Sequence, residues 1–178
     1  MTNIGAEEIF DIVDEKDNVI GRASRSECHS NPNLIHHTVQ FTLISKKDNT
    51  VLLTQRSYKK EHDAGKLCFM GEHILSRESN IDGITRGVIE ELGFKPSKFK
   101  ECAKNIFKYD KQTEFIRFYA VYYNNEQIIW DKDEFENIFW IKERDLKNNI
   151  SNYSEMTAYW VENVDWSDVF GMSIEKIS

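Results

Sequence analysis

The sequence predicts an α/β protein built on a mixed sheet with helices on both faces. Three observations carry this. Residues 34–45 are β-branched or aromatic at alternate positions over a long run, the period of a strand. Residues 80–92 repeat apolar side chains at helical spacing between a capping serine and a glycine. Strand-like runs recur on both sides of that helix, and two more helical runs follow them.

Taken in order, residues 8–13 read as a strand, 14–18 as a turn and 19–21 as a second short strand. The long strand at 34–45 ends on Lys46-Lys47-Asp48-Asn49, a hairpin turn, and residues 50–55 return beside it. Residues 67–70 form a buried strand that enters a polar loop. Ser79 or Asn80 caps the next helix, and Asp82 stands in its first turn, where the helix dipole favours negative charge. Ile81, Ile84, Val88, Ile89 and Leu92 make its apolar stripe. Gly93 closes it, with Pro96 shortly after. Residues 99–109 and 115–123 are strands joined at Asp110-Lys111, and 137–141 is another. Residues 143–150 and 154–164 read as helices, with Tyr159, Trp160 and Val164 turned to the core. The length suits one domain over residues 1–178.

Composition narrows the function. The net charge of -7 argues against nucleic-acid polymers, whose phosphates need a basic surface. No apolar run approaches the roughly 20 residues that span a bilayer, and no secretory pattern opens the sequence. Cys28, Cys68 and Cys102 are odd in number and scattered, which favours reduced thiols and a cytoplasmic setting. Edge strands and an aromatic-rich C-terminal half make a homodimer plausible.

The polar side of the 80–92 helix carries Arg86, Glu90 and Glu91. Arg86 and Glu90, four apart, are spaced to pair. A bare Glu-Glu is usually a solvated acidic face. Two adjacent acids beside a polar loop also suit Mg²⁺, which takes one or two carboxylates plus phosphate oxygens and waters. Gly87 is unexpected mid-helix, where it costs about 1 kcal/mol relative to Ala. Gly83 lies on the same face, so another chain segment could approach closely there. Loss of a functional side chain is the other explanation.

The set Glu78, Arg86, Glu90, Glu91 and Gly93 resembles the signature loop and helix of the Nudix hydrolases. That pattern is Gly, five residues, Glu, seven residues, Arg-Glu, an aliphatic, any residue, Glu-Glu, any residue, Gly, an aliphatic. Two positions depart from it: the first Gly falls on Glu72, and the Glu after the Arg is Gly87. The resemblance implies an α/β/α sandwich that hydrolyses a diphosphate linkage in a nucleoside diphosphate derivative or similar small molecule, with Mg²⁺ or Mn²⁺. It implies that Glu90 and Glu91 are the catalytic, metal-facing acids, and that the carbonyl near Gly71 adds a ligand. Glu78, Arg86 and Gly93 then have structural roles, with Arg86 pairing with Glu78 to hold the loop against the helix. Arg56 and Lys60 are candidates for the diphosphate, Arg for paired contacts and Lys as a point charge.

Flanking segments are similar to the branch that includes the isopentenyl-diphosphate isomerases. Asp11 to Arg22 resembles its opening hairpin, and Gln55-Arg56-Ser57 with Lys60 and Gly65 resembles a later segment. His29, His36 and His73 fall where the isomerases hold a metal, and Glu114 matches one acid, while the other is Gln112. The isomerases' essential Cys position is Gly71, so their double-bond chemistry lacks its acid here.

Two functions remain from the sequence. One is a metal-dependent hydrolase, with activity reduced by Gly87 or rescued by a Glu72 carboxylate swung into the gap. The other is a catalytically silent Nudix fold that binds a nucleotide or a protein partner.

Overall fold

The structure is a computed structural model and describes residues 7–171. Among the described residues, nine strands form one mixed sheet. They are β1 (Ile9–Val13), β2 (Val19–Ser24), β3 (Ile35–Ser45), β4 (Thr50–Arg56), β5 (Leu67–Cys68), β6 (Met70–His73), β7 (Phe99–Lys108), β8 (Thr113–Tyr122) and β9 (Phe135–Lys142). The helices are α1 (Arg25–Cys28), α2 (Asn80–Leu92), α3 (Glu155–Asn163) and α4 (Trp166–Gly171), and Glu143–Asn152 is a 3₁₀ segment.

β3 is the organiser. It runs parallel to β8 from Ile35↔Thr113 to Ile44↔Tyr122, and antiparallel to β1, β4 and β6. Alternation along these strands divides the core in two. Val39, Phe41 and Leu43, with Tyr119 and Val121, pack against Ile84, Val88 and Leu92 of α2. Ile44, Val51, Ile116, Phe118 and Ala120 pack against Leu146, Trp160, Val161, Trp166 and Val169 on the other face. This is an α/β/α sandwich.

Several sequence expectations are corrected. Ile81 and Ile89 are exposed, so the stripe of α2 narrows to Ile84, Val88 and Leu92. The strand expected at 67–70 breaks at Phe69 into β5, which pairs with β4, and β6, which pairs with β3. Buried Thr157 Oγ1 accepts the Phe69 N–H at the break (2.9 Å). The helix expected at 143–150 is a 3₁₀ segment. Two short helices were not expected. α1 is held by a capping box between Ser24 and Glu27, and α4 buries Trp166 and Val169. Trp160 is buried as expected, while Val164 is the buried cap after α3.

Candidate functional site

α2 starts and stops as its sequence dictates. The Ser79 hydroxyl accepts from the Asp82 N–H (3.1 Å). Gly93 takes φ 78°, a left-handed conformation that suits glycine, and donates its N–H to Ile89 O. The chain then returns over the helix end, where the Ile129 and Asp131 N–H groups donate to the carbonyls of Leu92 and Glu91. That return places Glu134, just before β9, on the α2 side of the molecule.

Arg86 ties the loop to the helix. Its Nε donates to Glu78 Oε1 (3.1 Å) and its Nη2 to Glu78 Oε2 (3.2 Å) and the His73 carbonyl (2.9 Å). Its Nη1 donates to Glu72 Oε2 (2.8 Å). Glu78 also accepts the Leu75 N–H (2.9 Å). The Glu78–Arg86 pairing is therefore as expected, whereas the Arg86–Glu90 pair is replaced by one to Glu72. The loop is further tied to β1, with Ser76 Oγ and the Arg77 N–H donating to Asp11.

The two helix glycines are both buried, and side chains rather than another backbone fill their faces. A Cβ on Gly83 would meet Ile74 Cδ1 at 2.4 Å. A Cβ on Gly87 would meet Glu72 Cγ at 2.6 Å and Oε1 at 2.9 Å.

Glu91 is the electrostatic centre of this face. Its Oε2 is buried without a hydrogen-bond partner. Burial, then the negative charges of Glu72, Glu134 and Glu90, push its carboxyl well above the usual carboxylate range, with Arg56 opposing them. Burial also raises Glu72, with Arg86 opposing. A buried, unpartnered carboxylate oxygen among like charges is a poor arrangement for an empty site and a good one for a cation.

The expected phosphate cations are near this set. Lys60 Nζ lies 2.5 Å from Glu134 Oε1, and Arg56 is the cation felt by Glu91. Arg56 Nε also donates to the His62 carbonyl (2.8 Å). Glu90 is exposed, and Gly71 lies exposed in β6, opposite Gln40 and next to Glu72. Glu134 was missed by sequence reasoning. It stands in the acidic run Asp131 to Glu136, where nothing in the spacing marks it.

A second cluster lies on the opposite face of β6, where His73 follows Glu72. One ring nitrogen from each of His29, His36 and His73 falls within 4.8 Å of the others, and His29 Nε2 is 3.0 Å from His73 Nε2. Neither ring nitrogen of His36 has a hydrogen-bond partner. Phe10 stacks on His36 and His73. Burial lowers His36 to about 4 and His73 to about 3, so the rings are neutral donors near pH 7, the form that ligates metals. Glu114 is in register with His36, but its oxygens accept from Thr38 and Gln112.

A surface cavity of about 520 Å³ lies elsewhere, lined by Gln55, Tyr58, Lys66, Phe139 and their neighbours, and none of the acids above lines it. Among the described residues, no helix is long and apolar enough to cross a membrane.

The family model of the NUDIX domain matches residues 35–160. The chain is 28% identical over 184 residues to an isopentenyl-diphosphate Delta-isomerase 2 of Photorhabdus laumondii, covering 96% of each. It is 28% identical over 102 residues to an uncharacterised Nudix hydrolase of Yersinia pestis, covering 57% of this chain and 55% of that one. Among solved structures it resembles DR0079 of Deinococcus radiodurans, with a TM-score of 0.71 at 19% identity, covering 89% of this chain and 99% of that one.

Proposed function

This chain belongs to the NUDIX domain family, and from that premise we propose that it is a metal-dependent hydrolase of a diphosphate linkage in a small molecule. One observation carries the reading: the unpartnered, buried Oε2 of Glu91 faces a group of acids, with Arg56 and Lys60 close by.

In this reading Glu91 and Glu90 hold Mg²⁺ or Mn²⁺, with the backbone carbonyl of Gly71 as a further oxygen donor. A bound divalent cation neutralises phosphate oxygens and lowers the pKa of a coordinated water. The protein's own groups do the rest. Glu91 is aimed by α2, whose N-terminus is anchored through Ser79 and whose middle is clamped by Arg86. Arg56 and Lys60 orient the diphosphate, so that water attacks one phosphorus and the bridging P–O bond breaks. Glu78 and Gly93 shape the loop and helix end rather than touch the reacting atoms.

The double-bond isomerisation named for the Photorhabdus relative is not proposed. Gly71 stands where that chemistry needs a thiol, and Cys68, on β5, turns its Sγ to the Lys66 carbonyl.

The test is release of phosphate-containing products from a panel of nucleoside and isoprenoid diphosphates with Mg²⁺ or Mn²⁺. Turnover that EDTA abolishes and Glu91→Gln removes is the expected result. Ligand binding with no turnover on any substrate, unaffected by EDTA, would replace the reading with that of a silent binding module.

A further inference from the structure

We propose that Glu72 supplies, from strand β6, the carboxylate that the family signature places on α2 at position 87; the inference rests on the metal-dependent reading above. Two departures from the signature are then one rearrangement: an acid appears at 72 and disappears at 87.

The geometry links them. Glu72 sits opposite Val39 in the β3–β6 ladder, and Val39 packs in the layer that holds Ile84, Val88 and Leu92 of α2. Strand alternation therefore turns Glu72 towards the helix. Its Cγ and Oε1 occupy the space that a Cβ on Gly87 would need, at 2.6 Å and 2.9 Å. A side chain at 87 and the observed Glu72 are mutually exclusive. Position 87 is also one helical turn before Glu91, and Glu72 is the foremost negative charge acting on Glu91.

The strand accepts Glu at this point without strain. Position 72 is within a regular ladder, and it is not among the residues with positive φ. Arg86 holds Oε2 at 2.8 Å, which leaves Oε1 as the oxygen lying over Gly87. Arg86 also binds Glu78 and the His73 carbonyl, so the same guanidinium both fixes the relocated carboxylate and keeps the loop in place.

The experiment is Mn²⁺ binding to the full chain, followed by the electron paramagnetic resonance of free Mn²⁺, with thermal midpoints measured in parallel. Four variants are compared: Glu72→Gln, Glu91→Gln, Gly87→Glu and the exchanged Glu72→Gly/Gly87→Glu. Glu72→Gln is expected to weaken Mn²⁺ binding by about tenfold or more. Gly87→Glu alone is expected to lower the thermal midpoint through the overlap with Glu72. The exchanged double variant is expected to recover both the midpoint and the Mn²⁺ affinity, which a merely structural Glu72–Arg86 pair would not require.

Unchanged Mn²⁺ affinity in Glu72→Gln beside its loss in Glu91→Gln overturns this inference and leaves the hydrolase reading standing. Mn²⁺ binding by the exchanged variant but not by the wild type overturns it too, because the scaffold would then be sound and Glu72 unable to serve. Absence of Mn²⁺ binding in every form overturns both.

Discussion

Glu72 Cγ lies 2.6 Å from where a Cβ on Gly87 would stand, so a strand residue occupies the place of a helix side chain. The contact explains why a buried mid-helix glycine is tolerated. The conformational cost of Gly87, about 1 kcal/mol against Ala, is the condition for Glu72 to reach the helix and meet Arg86. Gly87→Ala therefore tests the contact itself. The added methyl should displace Glu72, so the usual gain in helix stability is not realised. A thermal midpoint raised by the full helix-propensity increment would mean that Glu72 yields freely.

Glu91 is expected to trade stability for function. Its carboxyl is raised above its ordinary value near 4.5 by burial and by Glu72. The unfolded chain therefore ionises first as pH rises, and the metal-free protein loses stability from about pH 4.5 upward through the folded-state value. At pH 7 metal-free Glu91→Gln should melt higher than metal-free wild type, while losing the stabilisation by Mn²⁺. Thermal denaturation with and without Mn²⁺ checks both halves. A lower midpoint for the metal-free variant would show that the ionised carboxylate is not a burden.

Arg86 makes four hydrogen bonds to Glu72, Glu78 and the His73 carbonyl. Arg86→Ala leaves two partly buried carboxylates without their cation, and should cost about 3 kcal/mol. Arg86→Lys should recover little of it, because a single ammonium cannot span both acids and the carbonyl. Chemical denaturation of the three forms measures this. Near-complete recovery by Lys would show that charge alone matters.

The histidine cluster should make the metal-free protein acid-sensitive. Burial lowers His36 to about 4 from 6.5. The neutral ring is thus favoured in the fold, and its contribution is complete above about pH 6.5. It is lost as pH falls from there to about 4, because the unfolded chain takes up the proton first. Raised acids such as Glu91 act in the opposite direction, so the informative quantity is the difference between wild type and His36→Gln. The wild type should lose more stability than the variant between pH 6.5 and 4. Parallel stability curves would rule out a buried neutral His36.

Thr157 stands at the break between β5 and β6. Its hydroxyl accepts the Phe69 N–H and lies 2.9 Å from Ser154 Oγ. Thr157→Val keeps the shape and removes the acceptor, so it should cost about 1–3 kcal/mol, the penalty of a buried unpaired group. Denaturant unfolding reads this directly, and a neutral change would mean that the amide finds another partner.

Much of this molecule was legible because local rules and tertiary demands agree. The bounds of α2 follow from Ser79, Asp82 and Gly93, whose roles are settled within one turn of chain. The long β3 follows from its alternation, and the Glu78–Arg86 pair from the family spacing. The failures have equally local reasons. Ile81 and Ile89 fit the helical period but flank the face that meets the sheet, and α1 and α4 are too short to show a period.

The sequence by itself determined the sandwich and the signature loop and helix, because these depend on periodicity, caps and fixed spacing. Only the tertiary structure decided that Glu72 fills the gap at Gly87, that Glu134 joins Glu91, and that three histidines from α1's end, β3 and β6 meet. Those relationships join residues distant along the chain. They arise from strand pairing around β3 and from the return of the chain over the end of α2, which no local pattern records.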